Sequence, residues 1–285
     1  MGSSMYAYVT LVTSDSYAAG ALVLGHQLKD NGTPHDLVCL VTNNVSPTVV
    51  HQLQSLFTIV PVETLVSQDI AHLNLLGRPD LIHTFTKCHV WRLETYQKLV
   101  FLDADTLPLG NVDELFDRPH FSAAPDAGWP DCFNSGMFVT CPSKTTYDAL
   151  LSLANQEGSF DGGDQGLLNR YFDQWHRLPF TYNTTPTSQY SYAPAHQFYQ
   201  HNISICHFIG LNKPWKYQRF DDGKVLSHEW DGLTQLLQAW WDTWQKHYGE
   251  VTLTSPAALH RLRRPHSLSP CQSLSWQIGQ CLGYP

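Results

Sequence analysis

Charge is the scarcest commodity in this sequence. Only 15% of its 285 residues are charged, and acids outnumber bases to give a formal net charge of -8. A body of that sign repels nucleic acid and anionic lipid, so neither is an expected partner. Any anionic ligand would have to meet a local cation. Long apolar runs are missing too, and Tyr6 to Val12 follows no basic leader, so neither a membrane span nor a signal peptide is expected. Met1 to Ser4, ahead of Met5, reads as an expression scar. The seven cysteines are scattered, odd in number and without a C-x-x-C pair. That usage fits reduced thiols in a cytoplasmic protein better than a disulfide framework or a zinc site. In such a compartment the sequons at Asn183 and Asn202 stay unmodified. No Walker A loop, G-x-G-x-x-G or internal repeat is present. If a nucleotide binds, a metal rather than a glycine loop must hold its phosphates.

What is present describes a globular protein with 42% hydrophobic residues. Apolar runs at Tyr6–Val12, Leu37–Val41, Thr58–Val62 and Leu99–Leu102 alternate with helical patterns at Tyr17–Leu28, Pro47–Leu56 and Leu81–Tyr96. The alternation predicts an α/β fold, a mostly parallel sheet with helices on both faces, whose ligands bind at the carboxyl ends of strands. Phe121–Ala124, Gly136–Val139 and Ile203–Phe208 read as further strands, and Lys144–Ala154 and Gln165–Phe172 as helices. Leu233–Tyr248, with Trp240, Trp241 and Trp244, reads as a packing helix. Residues 5–254 are expected to form one domain and 255–285, gathering Ser, Pro, Gln and "HRLRRPH", a disordered tail.

Chemistry enters at "KLVFLDADTL", where a buried strand runs into Asp103 and Asp105. Carboxylates at i and i+2 of an extended chain point the same way and can grip one divalent cation. Taken alone, they read better as a strand-end turn capping the next helix. "HFIGLNKPW" adds His207 at a strand end and Lys213 before Pro214. Two carboxylates with an imidazole suit Mn²⁺ better than Mg²⁺, and Lys213 would supply a point charge for phosphate. "FDGGDQGLLN" sets Asp161 and Asp164 around a Gly-Gly turn, where a helix dipole by itself explains two acids. "DCFNSGMFV" places Asn134 and Ser135 in what is, on its own, an ordinary loop.

Together with "YVTLVTSDSYAAGALVLG", "SAAPDAGWPDCFNSGMFV" and "YSYAPA", these stretches resemble, in order from about Tyr6 to Tyr248, the glycogenins. These are self-glucosylating, retaining glycosyltransferases with the GT-A fold, a Rossmann-like nucleotide-sugar transferase architecture. The resemblance implies a glucosyltransferase that moves glucose from UDP-glucose to its own Tyr190, with Tyr192 as neighbour, and then to an α-1,4-glucan. It implies Mn²⁺ on Asp103, Asp105 and His207, and a uridine pocket from Leu11, Thr13, Ser14 and Tyr17. Gly210 and Lys213 would face the diphosphate, and Ala104 would be among the residues that bind the nucleotide sugar. Arg78 and Lys87 would close the sugar side, with Asn134, Ser135, Asp161, Asp164 and Gln165 around the glucose. Asp161, Asp164 and Lys213 would be the catalytic groups. A homodimer and glycogen synthase are the implied protein partners, although the family's synthase-docking segment is not recognisable in this tail. Ser14 stands where the family usually has Asn, Gln189 where an apolar residue is common, and "QWHRLPFTYN" looks shorter than usual. Competing readings are a hexosyltransferase for a small polyol acceptor and a silent nucleotide- or glucan-binding scaffold.

Overall fold

In the computed structural model, residues 5–186, 193–220, 222–225 and 231–249 are described. The expectations for residues 1–4, for Gln189, Tyr190 and Tyr192, and for the tail 255–285 lie outside the described residues. Among the described residues, nine strands follow in chain order: β1 Tyr6–Val12, β2 Asp36–Thr42, β3 Thr58–Val62, β4 Lys98–Leu102, β5 Thr106–Pro108, β6 Ser122–Pro125, β7 Phe133–Thr140, β8 His176–Arg177 and β9 Ile205–His207. The α-helices are α1 Ala18–Asp30, α2 Pro47–Leu53, α3 Ile70–Leu75, α4 Lys144–Gln156, α5 Asp164–Tyr171, α6 Ala193–Tyr199 and α7 Asp231–Tyr248.

Seven strands form one sheet in the order β3-β2-β1-β4-β7-β6-β8. The first four run parallel, β7 runs antiparallel to both its neighbours, and β8 runs parallel to β6. Continuous apolar sequence makes the central strands because both faces are covered. On β1, Tyr8 and Val12 pack with α1 and α7, whereas Ala7 and Val9 pack with the opposite layer. A β5–β9 antiparallel pair lies apart from the main sheet, with Thr106 opposite His207.

The helix expected over Leu81–Tyr96 is instead a run of 3₁₀ turns over Pro79–Arg92. Its residues explain the departure. Phe85 to Trp91 are all buried, so no polar face recurs at helical spacing. Thr84 Oγ1 bonds back to Leu81 O at 2.8 Å, and Thr86 Oγ1 accepts from Leu65 N–H at 3.0 Å, side-chain bonds that compete with a regular helix. The short elements α3 and β5 were not anticipated, and the expected strand Ile203–Phe208 shrinks to Ile205–His207.

Trp240, Trp241 and Trp244 are buried, as a packing helix requires. Trp241 also braces a loop: its Nε1 donates to Pro214 O at 3.1 Å, and the Arg219 guanidinium lies 4.1 Å from its ring centre. Trp241→Leu is therefore expected to cost about 3 kcal/mol in urea unfolding. It should also speed hydrogen exchange at Lys216 and Tyr217, whose amides donate to Lys213 O and Pro214 O. Unchanged exchange there would show that α7 does not support the loop.

Candidate active site

β1 and β4 lie side by side where the strand order changes direction, the place at which α/β sheets open a crevice beyond their carboxyl ends. The cleft there measures about 330 Å³. Its wall includes Leu11, Thr13, Tyr17, Arg78, Lys87, Asp103, Ala104, Asp105, Asn134, Ser135, Asp161, Asp164, Gln165, His207, Gly210 and Lys213. Ser14 is outside that wall, its hydroxyl 2.8 Å from that of Ser16.

Asp103 and Asp105 converge through a turn, not through alternation along a straight strand. The Thr106 N–H and hydroxyl both donate to Asp103 O, at 3.0 and 2.7 Å. Beyond the turn, the β5–β9 register carries His207 alongside. Ligand atoms of Asp103, Asp105 and His207 lie within 4.8 Å of one another. His207 Nε2 is 3.3 Å from Asp105 Oδ1 and 4.0 Å from Asp103 Oδ2. Two hard oxygens and one imidazole nitrogen fit a divalent cation. Gly136 makes the approach possible, because a Cβ there would collide with the imidazole.

Two buried lysines answer the acids. Lys87 Nζ lies 2.5 Å from Asp164 Oδ2 and 3.1 Å from Asp103 Oδ1, and donates to Ser135 O at 3.1 Å. Lys213 Nζ pairs with Asp105 Oδ2 and donates to Phe208 O at 2.9 Å. Burial pulls the Lys87 ammonium down, but Asp103 and Asp164 outweigh it and hold its pKa above the usual lysine range. The two acids of the turn differ. Burial pushes the Asp103 carboxyl up, and Asp105 adds to that while Lys87 opposes it. Burial acts on Asp105 in the same sense, yet His207 and Lys213 overcome it and hold that carboxyl well below the usual range. Burial, with the charge of Asp105, pushes the Tyr17 phenol up to about 12.

Asp161 and Asp164 divide the work that their spacing left open. Asp161 Oδ1 accepts from Ser159 Oγ at 2.7 Å and from the Gly163 and Gly166 amides at 2.8 and 3.0 Å, so it caps the start of α5. Asp164 is the first residue of α5 and takes the Lys87 contact. Arg78 is turned into a two-pronged bond with Asp80, at 2.9 and 2.8 Å.

Two polar residues of the site had no sequence signal. Asp126 Oδ2 accepts from Asn134 Nδ2 at 2.9 Å and from Gln165 Nε2 at 3.2 Å. Asn183 bridges Asn134 and His207, bonded at both ends of its amide. An acid in a Gly-Pro loop looks like a turn residue, and Asn183 looked like a silent sequon. The fold buries it to 5% exposure, leaving no free amide for a glycan.

The unlike pKa directions give opposite stability effects. At neutral pH the Asp103 charge is disfavoured by folding, so Asp103→Asn should leave metal-free protein as stable or melting higher. Asp105 contributes stability that is present above the unfolded carboxylate value near 3.9 and lost as pH falls through its folded value. Asp105→Asn strips a charge partner from buried Lys213 and should cost about 3 kcal/mol. Thermal melts in chelator check both, and equal destabilisation would refute the asymmetry.

Residues 8–120 and 117–219 match the family model described as Glycosyl transferase family 8. The chain is similar to Glycogenin-1 of Oryctolagus cuniculus, 49% identical over 247 residues that cover 83% of this chain and 74% of that protein. Glycogenin-1 of Homo sapiens is 52% identical over 247 residues, covering 83% and 71%. Among solved structures, the apo-form glycosyltransferase GlyE of Streptococcus pneumoniae TIGR4 shares the fold. Its TM-score is 0.61 at 21% identity, over 85% of this chain and 60% of that one.

Proposed function

The chain belongs to glycosyl transferase family 8 and within it to the glycogenins, and we propose that it moves glucose from UDP-glucose to its own Tyr190 and then to the growing α-1,4-glucan, priming glycogen synthesis. Its fold is the GT-A fold of glycosyltransferases. The observation that carries the reading is the meeting of Asp103, Asp105 and His207 with Lys87, Lys213 and Asp164 in one cleft.

Asp103, Asp105 and His207 would hold the cation, and their mixed oxygen and nitrogen donors favour Mn²⁺. When bound, that ion supplies a Lewis acid for the diphosphate, a role worth several kcal/mol. Lys213 would add a point charge to the same phosphates, while Leu11, Thr13 and Tyr17, which line the cleft, would face the nucleoside. On the sugar side, Lys87 anchors Asp164, whose carboxylate would stabilise positive charge at the anomeric carbon. A phenol with pKa about 10 costs roughly 4 kcal/mol to ionise at neutral pH, and a departing phosphate oxygen can take its proton.

Tyr190 stands six residues after Thr184, which is bonded to β9. Six residues span at most about 20 Å, which bounds how far Tyr190 can lie from that anchor. The two-fold dimer, with each Tyr190 segment entering its partner's cleft, is the arrangement proposed. A cytoplasmic setting is part of the proposal; no helix among the described residues is long and apolar enough to cross a membrane, and the five described cysteines are free.

Intact-mass spectrometry tests the proposal. With UDP-glucose and Mn²⁺ the protein should gain a ladder of single-hexose steps. Tyr190→Phe should gain none, yet still transfer glucose to an added maltoside. Mixed with Asp164→Asn protein that retains Tyr190, it should glucosylate that partner in trans. A ladder on Tyr190→Phe alone would identify a different acceptor.

A further inference from the structure

The directions of the Asn134 and Asn183 amides can be traced to one backbone group. The Gly136 N–H donates to Asn134 Oδ1 at 2.9 Å, so that position must be an oxygen. Asn134 Nδ2, donating to Asp126 Oδ2, agrees from the other end. An oxygen at Asn134 requires a donor from Asn183, whose Nδ2 lies 2.7 Å away. Asn183 must then present its Oδ1 to His207 Nδ1, at 2.8 Å. An amide oxygen can only accept, so Nδ1 carries a proton, and whenever the ring is neutral it is Nε2 that keeps the lone pair. That lone pair faces the two carboxylates of the turn. Without Asn183, the imidazole would gain by placing its proton on Nε2 and donating to Asp105, which would block ligation.

We infer that Asn183 is a positioning residue for the transfer reaction, acting on both sides of the cleft at once. Its carbonyl selects the His207 tautomer that can bind a cation. Its NH₂ group fixes Asn134, and through Asn134 it orients Asp126 on the sugar side. The inference rests on the glucosyltransferase reading of this cleft. Asn183, Asn134 and His207 are 5%, 8% and 5% exposed, so water scarcely competes for these bonds. The backbone beside Asn183 is laced to the strand of the metal ligand: Thr184 N–H donates to Ile205 O at 3.0 Å and His207 N–H to Thr184 O at 2.9 Å. One residue thus joins the cation ligands, the sugar pocket and the start of the segment that leads to Tyr190.

Two variants separate the two ends of the amide. Asn183→Leu offers no acceptor and is expected to weaken Mn²⁺ binding about 10- to 100-fold, read by calorimetry on the full chain. Asn183→Asp keeps an acceptor for Nδ1–H but sets an oxygen against Asn134 Oδ1. It should retain Mn²⁺ affinity while losing kcat/KM for UDP-glucose. Nitrogen-15 spectra of histidine-labelled parent protein in chelator, recorded at a pH high enough that the imidazoles are neutral, should show His207 protonated at Nδ1, moving toward Nε2 in Asn183→Leu. An Nε2-protonated His207 in the parent overturns the proposal, as does parental Mn²⁺ affinity in Asn183→Leu. Equal loss of Mn²⁺ binding in both variants also overturns it, because that marks a general structural defect. A parent protein that transfers no hexose would overturn the glucosyltransferase reading instead, and would leave the tautomer result standing.

Discussion

Like charges confined in a cleft of low dielectric repel strongly unless opposite charge lies between them. Asp103, Asp105 and Asp164 are in that position, and among the described residues Lys87, Lys213 and the His207 imidazole are drawn in among them. With a neutral imidazole, two ammonium groups against three carboxylates leave one negative charge over. Breaking either ion pair would strand a buried charge, at a cost that approaches a large share of a domain's net stability. The surrounding elements can be understood by how they deliver those five groups and hold them in place.

Lys87 arrives on residues 85–91 of the 3₁₀ run, which are all buried and so cannot shift without opening the core. Lys213 arrives on a loop closed by Pro214 and braced by Trp241. The turn that gathers Asp103 and Asp105 is pressed against α1 so closely that Gly20 is required, since a Cβ there would strike Ala104 O and the Trp215 ring. Gly136 serves His207 in the same way. In both places glycine is needed for close approach and not for an unusual backbone angle.

Much of this was legible in the sequence, for a definite reason. The strands β1 to β4 are short apolar runs bounded by polar residues, and for β1, β2 and β4 burial on both faces leaves little other interpretation. The acids of the turn, His207 and Lys213 stood out because each breaks an apolar or structural expectation locally. The 3₁₀ run was misread as a helix because its departure depends on Thr hydroxyls finding backbone partners, some of them twenty residues away. Asp161 and Asp164 could not be told apart, since capping depends on which carboxylate meets the Gly163 and Gly166 amides. Asp126 and Asn183 are ordinary residues in ordinary loops, and only the folded chain gives their amide and carboxylate groups a direction.

The leftover negative charge also bears on how a diphosphate could enter. A chain with formal charge -8 and a net anionic cleft repels such a ligand at long range and at contact. Lys213 cannot remedy this alone, because its ammonium is already committed to Asp105. A divalent cation held by Asp103, Asp105 and His207 would reverse the local sign, and Asp105, shared with that ion, would hold Lys213 less tightly. The diphosphate would then be favoured twice, by the charge of the ion and by the loosened lysine. Linkage makes the effect mutual, so a diphosphate in the cleft must tighten the cation by the same factor.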